Sequence, residues 1–345
     1  MNDSFCVLPF YGIEYLANGQ TTPCCLLPQT ANIPRIQQEM LDGQRPTACQ
    51  KCWTLEDQGR TSDRQLKNSA YDYYANIDID LVKKSVVAGK TVPRIIKLYT
   101  SNVCNSTCVT CSATHSSAWA TLTKQKTYQF IKPSIIDSLD YKEIVMLNFV
   151  GGEPLYERKN FEILEKLIAV NNTSCQIVIT TNGSVQLTQH QKDILTQFKH
   201  IDMNLSIDGV GPVFEYLRYP LKWSDLLDNI GFYRRANMSI SVSYTISNLN
   251  VLYYRETVDW FNNNQLPFNH NVVSFPLHFH PSVLPESVKL TYPDLASFFD
   301  RPVDACLYNK FLTEITHQDQ LKGISINDYL PRLSKVLDEA RNSAS

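Results

Sequence analysis

Three cysteines in Cys104-Asn-Ser-Thr-Cys108-Val-Thr-Cys111 follow directly on an apolar, strand-like run at residues 94–101, and this constrains the chain more than anything else in it. Three close thiolates with no fourth nearby leave one corner of a four-iron cluster open to a further ligand. Four thiolates would only cage a cluster or a zinc ion. The spacing therefore calls for a loop at a strand end that carries a reactive centre.

The 345 residues suffice for one large domain plus a smaller one. A hydrophobic content of 43% and a charged content of 19% suit a globular protein. A net charge of -2 gives no basis for a nucleic-acid surface. No apolar run reaches the length of a membrane span, and the start Met1-Asn-Asp-Ser-Phe-Cys6 lacks the pattern of a secretory signal. A cytoplasmic protein with no nucleic-acid or membrane partner is expected. Of the ten cysteines, five lie in the first 52 residues (Cys6, Cys24, Cys25, Cys49, Cys52) and three form the 104–111 cluster. Clustered cysteines in a cytosolic chain point to metal ligation more than to disulfides. Cys175 and Cys306 stand alone and read as small apolar residues.

Strands are expected at 94–101, 144–150, 175–181, 201–207, 239–246 and 271–280. Helices are expected between them at 155–170, 188–199, 224–233 (with Ser224 as N-cap) and 251–262. Six alternating units predict an α/β fold built as an open or partial (β/α)6 barrel, whose function gathers at the C-terminal strand ends. Residues 1–90 form a cysteine-rich module with a hairpin around Asn18-Gly19, a helical piece near 35–41 and Cys49-Gln-Lys-Cys52. Residues 91–285 make the barrel, and 286–345 a helical extension. There, Ile326, Leu330, Leu333 and Leu337 form one apolar stripe, read as core packing.

Each of the first five strands delivers a cysteine, a glycine or a short polar residue at its C-terminal edge. The second runs into Gly151-Gly152-Glu153-Pro154, where two glycines let a ligand approach the backbone. The third ends in Thr181-Asn182-Gly183, the fourth in Ser206-Ile-Asp-Gly209, and the fifth at Asn250. One such residue would satisfy a turn; five on one rim point to a site.

Together these motifs resemble the radical S-adenosylmethionine (radical SAM) superfamily over roughly residues 90–280. The resemblance implies that Cys104, Cys108 and Cys111 hold a [4Fe-4S] cluster whose fourth iron binds the amino and carboxylate groups of S-adenosyl-L-methionine. It assigns Gly151, Gly152 and Glu153 to the amino group, and Asn182 and Ser206 to the ribose or carboxylate region. It gives Arg218 to the carboxylate, with a surface ion pair as the plain alternative, and places Asn250 beside the adenine. Thr110 departs from the aromatic residue that many members carry before the third cysteine.

Cys6, Cys24, Cys49 and Cys52 resemble a twitch module, the shorter relative of the SPASM module, here placed before the barrel. The resemblance implies an auxiliary [4Fe-4S] cluster, with a four-cysteine zinc site as the alternative. Cys24 is preferred to Cys25 as the fourth ligand because it lies nearer the hairpin. Glu56, Gly59, Ser62 and Arg64 follow in a recognisable pattern with no role attached. His278 and His280, read as alternate residues of the last strand, are candidate proton carriers facing one side, or simply packed at the barrel edge.

The implied chemistry is one-electron: the reduced cluster cleaves the sulfonium to methionine and a 5′-deoxyadenosyl radical, which abstracts hydrogen from substrate. The expected function is oxidative modification or crosslinking of a ribosomally made peptide, fed by an external one-electron reductant of flavodoxin or ferredoxin type. The alternatives are a small-molecule dehydrogenase, epimerase or C–C/C–S bond-forming enzyme, and a non-enzymatic iron–sulfur or zinc protein that senses or only supports structure.

Overall fold

In a computed structural model, the described residues are 4–16, 19–28, 30–75, 84–86, 88, 93–127, 129–299, 301–302 and 306–343. They form a mixed α/β protein whose eight strands are β1 (Gly12–Tyr15), β2 (Thr21–Thr22), β3 (Ile95–Tyr99), β4 (Met146–Val150), β5 (Gln176–Thr181), β6 (His200–Ser206), β7 (Ser239–Ile246) and β8 (Phe268–Val272). The chain divides into two compact units that interleave along the sequence. The first comprises Met1–Asn102, Gln129–Ile179 and Leu187–Asp202; the second comprises Val103–Tyr128, Thr180–Gln186 and Met203–Ser345.

In the first unit β2 runs antiparallel to β1, and β1, β3, β4 and β5 pair in parallel in that order. The hairpin expected around Asn18-Gly19 is formed by β1 and β2, and Gly19 takes the left-handed φ of +83° that such a turn needs. Asn18 itself lies outside the described residues. The parallel pairing of β1 with β3 (Ile13 opposite Ile96) was not legible, because β1 is four residues long and its side chains are all half-buried. Behind these strands Phe5, Val7, Leu8, Phe10, Tyr11, Ile36, Met40 and Tyr71 build a core that includes Ile95 and Met146.

The pattern Glu56, Ser62, Arg64 acquires a structural role here. The Glu56 carboxylate accepts from Arg64 Nε (2.9 Å), Arg64 Nη2 (2.6 Å) and the Ser62 hydroxyl. Arg64 Nη1 donates to the Phe5 carbonyl at 2.7 Å, and its guanidinium lies 4.9 Å from the centre of the Trp53 ring. One buried ion pair thus ties the helix Gln50–Asp57 to the helix Asp63–Ala75 and to the N-terminal segment. Removing one partner leaves a buried charge unpaired, so Glu56→Ala is expected to cost about 3–5 kcal/mol. Chemical denaturation of the full chain checks this, with Arg35→Ala, an exposed pair, as the near-neutral control.

In the second unit β7 pairs in parallel with β8, and Ile207, just past β6, donates its N–H to the Ser243 carbonyl of β7 at 3.2 Å. The last expected strand is corrected. β8 ends at Val272, and residues 277–279 and 281–283 form two short 3-10 turns. Pro276 and Pro281 lack the N–H that a strand ladder requires, which outweighs the alternating pattern around the histidines. His278 and His280 are therefore not alternate residues of a strand.

The expected helices form, with ends set by caps. Glu157 caps Arg158–Ala169, and Thr188 with Gln191 makes a capping box for Gln189–Leu195. Ser224 is not an N-cap: the helix begins at Trp223, with Lys222 in the cap position. The C-terminal stripe is split by Pro331 into the helices Ile326–Tyr329 and Pro331–Ser343, and Leu330, Leu333 and Leu337 are buried. Among the described residues no helix is long and apolar enough to cross a membrane.

Candidate functional site

The three-cysteine loop lies in the second unit. Cys104 is buried and Cys108 and Cys111 are half-buried. The Ser106 hydroxyl sits between two sulfurs, 3.3 Å from Cys104 Sγ and 3.3 Å from Cys108 Sγ. Ser116 holds the loop from outside through the Ser106 carbonyl at 2.6 Å, and Trp119 Nε1 donates to the Cys108 carbonyl at 2.9 Å. The backbone N–H groups of Thr107 and Val109 donate to the carbonyls of Tyr219 and Leu217. The sulfurs thus stand on a backbone fixed on several sides. Burial pushes the Cys111 thiol up to about 12, so a cationic iron is what would make it a ligand.

Two expected cofactor residues meet this loop. Asn182 Nδ2 donates to Asn105 Oδ1 at 2.8 Å, and Asn105 Nδ2 reaches Ser184 Oγ at 3.2 Å. Arg218 points one guanidinium nitrogen at Cys108 Sγ (3.9 Å) and pairs through Nη2 with Asp208 at 2.7 Å. Its Nε is buried without a hydrogen-bond partner among the described residues. An unpartnered, charged donor beside a cysteine thiol is the feature an anionic group would satisfy. Asp208, in the Ser206-Ile-Asp-Gly209 motif, was given no role from sequence; here it orients Arg218 and accepts the Thr245 N–H at 3.0 Å.

Asn250 is fully buried, and its side chain makes four hydrogen bonds within the chain. Nδ2 donates to the carbonyls of Asp208 (2.7 Å) and Thr245 (2.8 Å), and Oδ1 accepts from Ser247 N (2.7 Å) and Ser247 Oγ (3.3 Å). It fastens the loop after β6 to the end of β7. Ser206 is half-buried at the end of β6. Burial lowers the His278 pKa from its ordinary value, and its Nε2 has no partner among the described residues. His280 Nδ1 accepts the Ser282 N–H at 3.1 Å and caps a turn.

Gly151, Gly152 and Glu153 belong to the first unit, at the end of β4. Gly151 has φ +127°, and a Cβ there would lie 2.6 Å from the Ser101 carbonyl oxygen. The same oxygen accepts the Gly152 N–H at 3.0 Å. Glu153 is buried, with Oε1 accepting the Leu155 N–H at 3.0 Å.

The N-terminal cysteines also lie in the first unit. Cys6, Cys24, Cys49 and Cys52 all line one pocket, together with Leu8, Met40 and Arg64. Cys25 does not line it; its backbone N–H is held by Glu14 Oε1 at 3.1 Å. Among the described residues no three His, Cys, Asp or Glu form a group that could hold one metal ion, and this applies to Cys104, Cys108 and Cys111 as well as to these four. Four cysteine sulfurs are the donor type that iron–sulfur clusters take. Burial pushes the Cys6 thiol up to about 12 and the Cys49 thiol up to about 11.

The structure is similar to anSMEcpe with bound AdoMet (17% identity, TM-score 0.44), covering 67% of this chain and 62% of that one. It is also similar to Streptococcus suis SuiB bound to precursor peptide SuiA (13% identity, TM-score 0.41; 74% and 55% covered). A third is TYW1 with a lysine-pyruvate adduct bound (12% identity, TM-score 0.33; 57% and 69% covered). The chain thus spans less than two thirds of the length of the first two. No curated protein matches the sequence. Residues 89–215, which hold Cys104, Cys108, Cys111 and the Gly-Gly-Glu-Pro turn, match the 4Fe-4S single cluster domain family, as the radical SAM resemblance leads one to expect.

Proposed function

We propose that the chain is a radical SAM enzyme that oxidatively modifies or crosslinks a peptide, on a partial (β/α)6 barrel preceded by a twitch-like module. The observation that carries the reading is the loop of Cys104, Cys108 and Cys111, with Asn182 tied to it and the unpartnered Nε of Arg218 beside it. When bound, the cluster and S-adenosyl-L-methionine supply a carbon radical able to take hydrogen from an unactivated C–H bond.

The chain's own residues hold and orient. The three thiolates would hold the cluster, and the Ser106 hydroxyl, 3.3 Å from the sulfurs of Cys104 and Cys108, would donate its one hydrogen to either of them. Arg218, held by Asp208, meets the cofactor carboxylate. Asn182 and Ser206 take the ribose or carboxylate side. Asn250 keeps the strand ends near the adenine in place. By the resemblance, Gly151, Gly152 and Glu153 receive the amino group, and the glycines keep the backbone open to it. Cys6, Cys24, Cys49 and Cys52 would hold a second cluster, which would supply an electron acceptor beside the first. A flavodoxin- or ferredoxin-type protein supplies the reducing electron. His278, buried with an unpartnered Nε2, is the better of the two histidines for a proton at the substrate.

Anaerobic reconstitution with iron and sulfide, followed by assay for 5′-deoxyadenosine, tests this reading. The expected results are product formation under strong reductant and about eight irons per chain. Cys24→Ala lowers the iron count to about four, and Cys25→Ala leaves it unchanged. Absence of 5′-deoxyadenosine defeats the enzyme, and roughly four irons with one zinc defeats the second cluster.

A further inference from the structure

The helix Cys306–Lys322 buries Phe311, Ile315, Gln318 and Lys322, a 4-3-4 spacing that sets them on one face. The last two are polar, and both are directed at the cysteine loop. Gln318 Nε2 donates to the Val109 carbonyl at 3.0 Å, between Cys108 and Cys111. Gln318 Oε1 accepts from Lys322 Nζ at 2.9 Å. That ammonium stands 4.8 Å from the centre of the Trp119 ring, and the same indole donates to the Cys108 carbonyl. Leu321 packs with Cys111 against Ala113, Trp119 and Ala120. Two consecutive loop carbonyls are therefore held by this helix, one directly and one through a tryptophan that the lysine caps.

Such a lysine is unusual. Lysine is almost never fully buried unless paired with an opposite charge, yet Lys322 is 7% exposed and its hydrogen bond goes to a neutral amide. Glu314 and Asp319 attract it from beyond ion-pair distance, while their oxygens accept from Gln318 and from Tyr216 and the Ile326 N–H. A ring face, an amide and two carboxylates beyond ion-pair distance compensate only part of the cost of burying an ammonium. A negatively charged iron–sulfur centre on the Trp119 side would compensate the rest.

We propose that Lys322 is a positioning residue whose buried positive charge raises the reduction potential of the cluster on Cys104, Cys108 and Cys111, so that a biological reductant can load it. The proposal rests on the reading of those cysteines as cluster ligands. An added electron makes the cluster more negative, and a fixed cation at low dielectric stabilises that state.

The test is a potentiometric titration of the anaerobically reconstituted full chain, read on the electron paramagnetic resonance signal that S-adenosylmethionine perturbs. Wild type is compared with Lys322→Met, Lys322→Gln and Lys322→Arg. At the potential that half-reduces wild type, the reduced-to-oxidised ratio is expected to fall about tenfold in the two neutral variants, which is about 59 mV for one electron. Lys322→Arg is expected to stay near wild type. An unchanged ratio in a folded, iron-loaded neutral variant overturns the proposal. Neutral variants that unfold before iron is added also overturn it, since Lys322 would then be a packing residue only. A wild-type chain that takes up no cluster at the three cysteines is a different failure: it sinks the functional reading, and this proposal with it.

Discussion

Cys108→Ala is expected to remove S-adenosylmethionine cleavage altogether while leaving the fold standing. The sulfur is one of three that would hold the cluster, so its loss exceeds the roughly 10–100-fold penalty of deleting an outer-shell partner. The backbone at this position does not depend on the side chain: the Cys108 carbonyl is held by Trp119, and the flanking Thr107 and Val109 N–H groups by Tyr219 and Leu217. Stability should therefore change by no more than about 1 kcal/mol. Iron analysis, circular dichroism and the 5′-deoxyadenosine assay on one preparation check the three parts. A variant that keeps full activity would remove Cys108 from the site.

The second large effect is expected at Gly151→Ala, for a different reason. The new Cβ would lie 2.6 Å from the Ser101 oxygen, a backbone atom that cannot swing aside, and φ +127° is a conformation that alanine avoids. Strain of about 1–3 kcal/mol adds to the cost of moving the strand end. The Gly152 N–H uses the same Ser101 oxygen, so the displacement carries into the Gly-Gly-Glu-Pro turn. A shift near 1 Å at a positioning turn can cost about 10²-fold in rate, and a loss of that size is expected. Gly323→Ala is the control: φ is +66° but nothing lies within 4 Å of its Cβ, so only about 1–2 kcal/mol of backbone strain is expected there, with activity kept. Equal effects at the two glycines would show that the close approach to Ser101 does not matter.

What the sequence revealed follows from the range of the interactions involved. The strands from β3 to β7 were legible because buried parallel strands are continuous apolar runs that end in turn residues, and Leu147, Ile177, Met203 and Val242 are all buried. The three-cysteine loop was legible because its cysteines are close in sequence. The final strand was misplaced because alternation around His278 and His280 carries less weight than two prolines that cannot donate to a ladder. Local reading also failed where partners meet only once the chain has folded. Asp208 meets Arg218 only once the turn after β6 has formed, and Gln318 reaches Val109 across 209 positions. The role of Glu56 and Arg64 was hidden likewise, because the Phe5 carbonyl that shares their network lies 59 residues before Arg64. The preference for Cys24 over Cys25 rested in the sequence on nearness to the hairpin alone; in the structure Cys24 lines the pocket with Cys6, Cys49 and Cys52, and Cys25 does not.

The most direct measurement is the electron paramagnetic resonance spectrum of the anaerobic, dithionite-reduced protein before and after S-adenosyl-L-methionine is added. If three thiolates hold a cluster with one open iron, the added ligand shifts and reshapes the reduced-cluster signal, and Cys108→Ala abolishes that response. A signal indifferent to the ligand would mean that no iron in this protein is free to bind it.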